Sequence, residues 1–198
     1  MALVKAVLCA GAYPNVMKAP PELPAVGASG SALAAAAAAG GELGKKAAGD
    51  VRLESTQHGG VYLHPCCLLF KARALDWRYL VYHELVRTSK VYARDATTVS
   101  PLQMLLFGGR LVVHHEANVV SLDATHHFRA PPKVATLLKL LRARIEELLL
   151  AKITRPNEDV TGEPRATRLV AAVRALLGAE VSDGVSCKDW VACLTTTK

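Results

Sequence analysis

The stretch Leu80-Val81-Tyr82-His83-Glu84-Leu85-Val86-Arg87-Thr88-Ser89-Lys90-Val91-Tyr92-Ala93-Arg94-Asp95-Ala96-Thr97-Thr98-Val99-Ser100-Pro101 decides the fold. It is rich in β-branched and aromatic residues and broken by a polar Thr-Ser-Lys, so it reads as two strands, over residues 79–87 and 91–98. Ser100 is a good N-cap and Pro101 suits the first helical position, so a short helix follows over 102–107, stopped by Gly108 and Gly109. Alternation also assigns faces: Lys90, Tyr92 and Arg94 share one side of their strand, and Val91 and Ala93 the other.

Working outward, residues 51–54, 61–64, 111–114 and 119–122 read as further strands. A meander of about five strands with one short helix inserted late is the element order of an OB-type Greek-key barrel. The expected fold class is therefore mainly β with flanking helices, and other small barrels fit the same pattern. From Pro132 the period changes to helical, with Val134, Leu137, Leu138, Leu141, Ile145, Leu148 and Leu149 on one face. Pro156 ends that helix soon after Ile153. A second helix runs from Pro164, uses Leu169, Val170, Val173, Leu176 and Leu177, and stops at Gly178. The expected organisation is a helical linker at 1–18, an Ala/Gly/Pro-rich disordered insert at 19–50, a barrel at 51–130, helices at 131–178 and a loose tail at 179–198.

The chain has 198 residues, 24 Lys plus Arg against 17 Asp plus Glu, and a net charge of +7. That balance favours an acidic partner such as RNA, DNA or an anionic surface. No apolar run is long enough to span a membrane. The first twelve residues carry one lysine and an apolar stretch but no small-residue cleavage site, so no secretion signal is expected. Five cysteines, two of them adjacent, suit a reducing compartment and hence an intracellular protein. The pairs Cys66-Cys67, His114-His115 and His126-His127 are poor chelates, because neighbours on a strand point to opposite faces; no metal is expected from them or from Cys187 with Cys193. The carboxylates are scattered and nothing stabilises a thiolate at Cys66 or Cys67, so this chain alone is not expected to be an enzyme.

Several segments in order resemble one family. They are Leu3-Val4-Lys5-Ala6-Val7-Leu8-Cys9-Ala10-Gly11-Ala12-Tyr13-Pro14-Asn15-Val16, Val61-Tyr62-Leu63-His64-Pro65, residues 80–84, 87–92, 94–97 and 99–101 of the opening stretch, Leu105-Leu106-Phe107-Gly108-Gly109 and Ala130-Pro131-Pro132-Lys133-Val134-Ala135. Their colinearity resembles the C-terminal OB-fold region of DEAH/RNA helicase A-type (DExH-box) RNA helicases, with residues 1–18 similar to the end of the helicase-associated domain. The chain departs from that pattern at Cys66-Cys67, where the family has two serines, and at Thr125-His126-His127, near the place of a tryptophan. No Asp-Glu-x-His box is present. The nearest imitation of a Walker A loop, residues 39–46, has Ala39 for the first glycine and Lys46 for the magnesium-binding hydroxyl. The resemblance thus implies a non-catalytic domain that binds or guides single-stranded RNA and couples to helicase core domains in cis or in trans. ATP and magnesium belong to the full-length family, and no cofactor is expected on this chain.

Single-strand binding by OB barrels pairs a basic groove with aromatic stacking platforms. Residues 71–94 supply both, and the candidate RNA-binding residues are Lys90, Arg94, Tyr92, Arg87 and His64. The same tyrosines also suit half-buried barrel positions, and the same cations suit a solvated strand face. An alternative function is a protein-docking module that packs on helicase core domains or a partner without touching nucleic acid.

Overall fold

The expected hairpin forms, but both of its arms are bent. The computed structural model describes residues 2–20, 23, 47–157, 159 and 164–182, in two units divided between Met104 and Leu105. In the first unit, residues 79–87 split into β4 (Tyr79–Val81) and β5 (Glu84–Arg87), and residues 91–99 into β6 (Val91–Arg94) and β7 (Thr97–Val99). Asp95 sits at φ 52, a left-handed conformation that no strand continues through. Opposite it, the His83 amide donates to the Arg94 carbonyl at 3.3 Å, carrying the pairing around the bend.

Three further strands, β1 (Val16–Lys18), β2 (Leu53–Ser55) and β3 (Gly59–Leu63), complete a seven-stranded sheet in the order β5-β6-β3-β2-β1-β4-β7. The outer half of the bent hairpin, β5 with β6, forms one edge; its inner half, β4 with β7, forms the other. A continuous hairpin reaches both edges only if the sheet curls upon itself. The sheet has seven strands where a barrel of about five was expected: four of the expected strands enter it and bends divide two of these, while those at 111–114 and 119–122 join a separate three-stranded sheet. The seven-stranded sheet also takes in β1, which pairs with both β2 and β4, from the segment read as a linker. Three residues are too few to show a period.

Inside the curl, Met17, Leu53, Val61, Leu63, Leu80 and Ala93 are fully buried, and each large side chain contributes about 1.5–3 kcal/mol by leaving water. Ala19, Leu23 and Ala48 join this core. The ends of the segment read as a disordered insert are therefore part of the fold, while residues 24–46, with the Walker-like run, lie outside the described residues. A single 3-10 turn at Ala48–Asp50 enters the core, and a side chain on Gly49 would collide with the Phe70 ring. Among the described residues, no helix is long and apolar enough to cross a membrane.

Helix α1 (Ala2–Ala12) buries only Ala6 and Cys9. Burial without a partner charge pushes the Cys9 thiol up to about 12, which makes it inert at neutral pH. A polar tie holds the helix: Lys5 Nζ donates to Asp76 Oδ2 at 2.6 Å and Thr98 Oγ1 at 3.0 Å, and Thr98 Oγ1 donates to Asp76 at 3.2 Å. The Lys5 hydrogen bond, opposed by partial burial and helped by Lys5's charge and by Thr98, holds the Asp76 carboxyl below its ordinary 3.8. A carboxyl whose folded value is depressed stabilises the fold above its unfolded value and loses that contribution as pH falls through the folded one. Asp76 is largely exposed, so Asp76→Asn should cost no more than about 1 kcal/mol at pH 7. Urea midpoints of the parent and variant should differ at pH 7 and converge as pH falls through the depressed folded value of Asp76.

Helix α2 (Pro101–Phe107) spans the boundary between the units. Its capping box is complete, with the Gln103 amide donating to Ser100 Oγ at 3.1 Å and the Ser100 amide donating to Gln103 Oε1 at 3.0 Å. The second unit contains an antiparallel meander of β8 (Leu111–His114), β9 (Val119–Leu122) and β10 (His126–Arg129), then α3 (Pro132–Thr154) and α4 (Pro164–Ser182). The Arg142 guanidinium on α3 donates to the carbonyls of Leu105 and Gly108, closing the end of α2.

Two helix expectations change. The buried seam of α3 is Ala135, Leu138 and Ile145, whereas Leu137 and Leu149, expected on that face, are 62% and 53% exposed. The seven apolar positions form one broad stripe, and contact selects the part of it near Leu138 and Ile145 for burial. Helix α4 passes through Gly178 to Ser182; one glycine costs only about 1 kcal/mol in a helix, too little to stop it when helix formers follow. The rest of the tail, with Cys187 and Cys193, lies outside the described residues.

Candidate nucleic-acid interface

The outer face of the curled sheet carries the chemistry. In β3, Val61 and Leu63 point into the core, which puts Tyr62 outside; in β6, Ala93 is fully buried, which puts Tyr92 and Arg94 outside. The two strands run parallel with Tyr62 beside Tyr92. Their rings lie 6.4 Å apart at 50°, and the His64 ring stands edge-on to Tyr92 at 6.0 Å. Lys90 Nζ sits 4.3 Å above the Tyr62 ring, where the ring quadrupole attracts a cation. Two tyrosines, an imidazole and an ammonium thus form one ledge, with backbone ladders below and solvent above.

Local geometry orients His64. The Cys66 amide donates to His64 Nδ1 at 3.2 Å, so the neutral ring carries its proton on Nε2, available to donate outward. The turn after His64-Pro65 also separates the two neighbouring cysteines. Cys67 is buried, with its thiol 3.9 Å from the Ala96 carbonyl, while Cys66 is exposed.

Of the candidate residues, the fold brings His64, Lys90 and Tyr92 together. Arg94 lies on the same face but is tied to Glu84, its register partner on β5, at 3.0 Å, with both side chains about half exposed. Any phosphate contact by Arg94 competes with that carboxylate. Arg87 is not part of the ledge. It is opposite Val91, and directly opposed residues share a face, so its side chain emerges on the other side of the hairpin from Tyr92.

Two members were not singled out from sequence. Tyr62 is the ring that joins Lys90 to Tyr92, and strict alternation through Val61-Tyr62-Leu63 signals its outward position. Arg52 is the other: a Cβ on Gly60 would collide with its guanidinium, so Arg52 lies across the bare backbone of Gly60, on the face that carries Tyr62. Its signal is weak, since it precedes β2 and nothing in the sequence pairs it with a glycine eight residues away.

His114 Nε2 lies 2.9 Å from Ser121 Oγ across the β8–β9 hairpin, and His126 is buried in β10. Among the described residues, no three His, Cys, Asp or Glu side chains gather as metal ligands. What the ledge can do chemically is stack planar groups, attract anions through Lys90, Arg52 and Arg94, and donate a hydrogen bond from His64.

Two family profiles and several curated proteins match this chain. Residues 4–111 match the profile of an oligonucleotide/oligosaccharide-binding (OB) fold, and residues 118–179 match the C-terminal domain in RNA helicases. The chain is 31% identical over 178 residues to the DExH-box ATP-dependent RNA helicase DExH1 of Arabidopsis thaliana, covering 89% of this chain and 15% of the relative. It is 30% identical over 177 residues to the ATP-dependent DNA/RNA helicase DHX36 of Mus musculus, covering 88% and 16%. With the ATP-dependent RNA helicase dhx29 of Xenopus laevis it shares 37% identity over 102 residues, covering 52% and 7%. The chain therefore spans a sixth or less of the length of these relatives.

Proposed function

The chain belongs to the C-terminal, OB-fold-bearing part of the DExH-box RNA helicase family, and we propose that its outer sheet face guides single-stranded RNA for an ATP-hydrolysing helicase core. The observation that carries this reading is the Tyr62–Tyr92–His64 ledge with Lys90 over one ring. Bases stack on such rings whatever their identity, while flanking cations follow the backbone. Guidance without strong sequence preference is what a strand-tracking motor requires. In this reading ATP and magnesium act on the core, and this domain supplies grip and coupling.

Fluorescence anisotropy with a labelled oligouridylate at two salt concentrations tests the reading. Binding should weaken as salt rises, with a slope of about −0.7 per phosphate contacted. Charge reversal at Lys90 and Arg94 should flatten that slope, and no binding at low salt overturns autonomous RNA contact.

One observation favours docking as a second reading. On α1, Leu3, Val4, Val7 and Leu8 are 46–66% exposed, an apolar face that suits packing against further protein. The same charge reversal separates the two, because docking through α1 would survive it.

A further inference from the structure

Helices α3 and α4 line a groove of about 730 Å³ that the RNA reading does not use. Its floor is aliphatic, made by Leu148 and Ala151 of α3 with Ala166 and Leu169 of α4. Among the described residues its rim is basic, with Arg144, Arg165 and Arg168 against the carboxylate of Glu147, which Arg144 already holds at 2.7 Å. Arg168 Nε also donates to the Pro164 carbonyl at 3.1 Å, and among the described lining residues no further acidic side chain offsets the charge that Arg165 and Arg168 project from α4.

The groove's Arg144, Leu148 and Ala151 belong to a longer stripe on α3. Leu137, Leu140, Arg144, Leu148 and Ala151 recur at three- and four-residue spacing and so form one stripe. Its first two leucines are 62% and 58% exposed. Leucines held in water along a stripe that ends in an apolar groove are the counterpart of a helix with its own apolar row. The volume far exceeds that of a single phosphate, whose size is comparable to a few waters of about 30 Å³ each. A polynucleotide gains little here, because none of the described residues lining the groove is an aromatic ring that could stack a base.

We propose that the α3–α4 groove is a docking site for an amphipathic helix of a protein partner, one whose apolar row is flanked by carboxylates. The apolar row covers Leu137, Leu140 and Leu148, and the carboxylates meet Arg165 and Arg168. Charge complementarity at the rim sets orientation and discriminates against basic helices. This site is independent of the RNA face on the sheet.

The test uses the full chain and three labelled 18-residue peptides: a helical peptide with a leucine row flanked by glutamates, its twin with lysines for the glutamates, and a scrambled acidic peptide. Anisotropy should show the acidic helix binding at least 10-fold more tightly than either control. Arg165→Glu with Arg168→Glu should reverse the preference between acidic and basic twins, and Leu140→Asp should weaken both. All three side chains are exposed, and unchanged circular dichroism confirms that folding is intact. Equal affinity for the twins, for the scrambled peptide, or for all variants overturns the proposal. So does oligouridylate that displaces the acidic helix and itself loses affinity in the Arg165→Glu, Arg168→Glu variant, which makes the groove a nucleic-acid site.

Discussion

Replacing Tyr62 and Tyr92 together by alanine should lower affinity for single-stranded RNA by at least about 30-fold. Each aromatic platform contributes roughly 1–3 kcal/mol per stacked base, and two platforms lost at the lower limit already amount to about 2 kcal/mol. The pair is also mechanically coupled, because the rings touch each other and Tyr62 seats Lys90. Removing either ring therefore loosens the remaining members of the ledge, so the single variants should sum to more than the double variant loses. The salt slope separates this effect from charge. It should change little in the alanine variants, which keep every cation, and flatten in the Lys90→Glu, Arg94→Glu variant. Both readings come from one anisotropy titration, and an unchanged affinity in the double alanine variant removes the stacking role.

What the sequence disclosed follows from the range of each physical cause. The cap at Ser100, the start of α3 at Pro132 and its end before Pro156 are local, decided by side chains within one turn, and they stand where the residues place them. The faces of β6 were legible because the strand alternates strictly, with Ala93 in and Tyr92 and Arg94 out. The bend at Asp95 was not, since a left-handed aspartate is set by the path of the sheet rather than by its neighbours. Register was equally hidden. Arg87 and Arg94 look equivalent as cations on a hairpin, yet pairing turns one away from the tyrosines and sets the other against Glu84. Tyr62 and Tyr92 are thirty residues apart and meet only because β3 and β6 run parallel, a contact no local pattern contains. For the same reason β1, three residues long, was invisible before its two partners were known.

The ledge stands on a core, and Leu63 is the residue where the two meet. It lies between Tyr62 and His64 on β3, is fully buried, and is paired with Ala93, the inward neighbour of Tyr92. Leu63→Ala removes a side chain that cannot be replaced by water or by rotation of a neighbour in a close-packed interior. Truncations of this kind cost about 2–5 kcal/mol. Against a total stability of roughly 5–15 kcal/mol, that is a large fraction. Thermal unfolding should fall by about 10 °C or more, at roughly 4–8 °C per kcal/mol for a unit of this size. The functional consequence depends on temperature. Where the variant is still folded, the backbone pairing of β3 to β2 and β6 keeps Tyr62 and His64 in place, so RNA affinity at 10 °C should stay within about threefold of the parent. Near the lowered transition, binding and ellipticity should be lost together. A Leu63→Ala protein that keeps its melting temperature would show that this position is not close-packed. One that melts early and also fails to bind at 10 °C would show that the ledge needs side-chain support beneath it as well as its strand ladders.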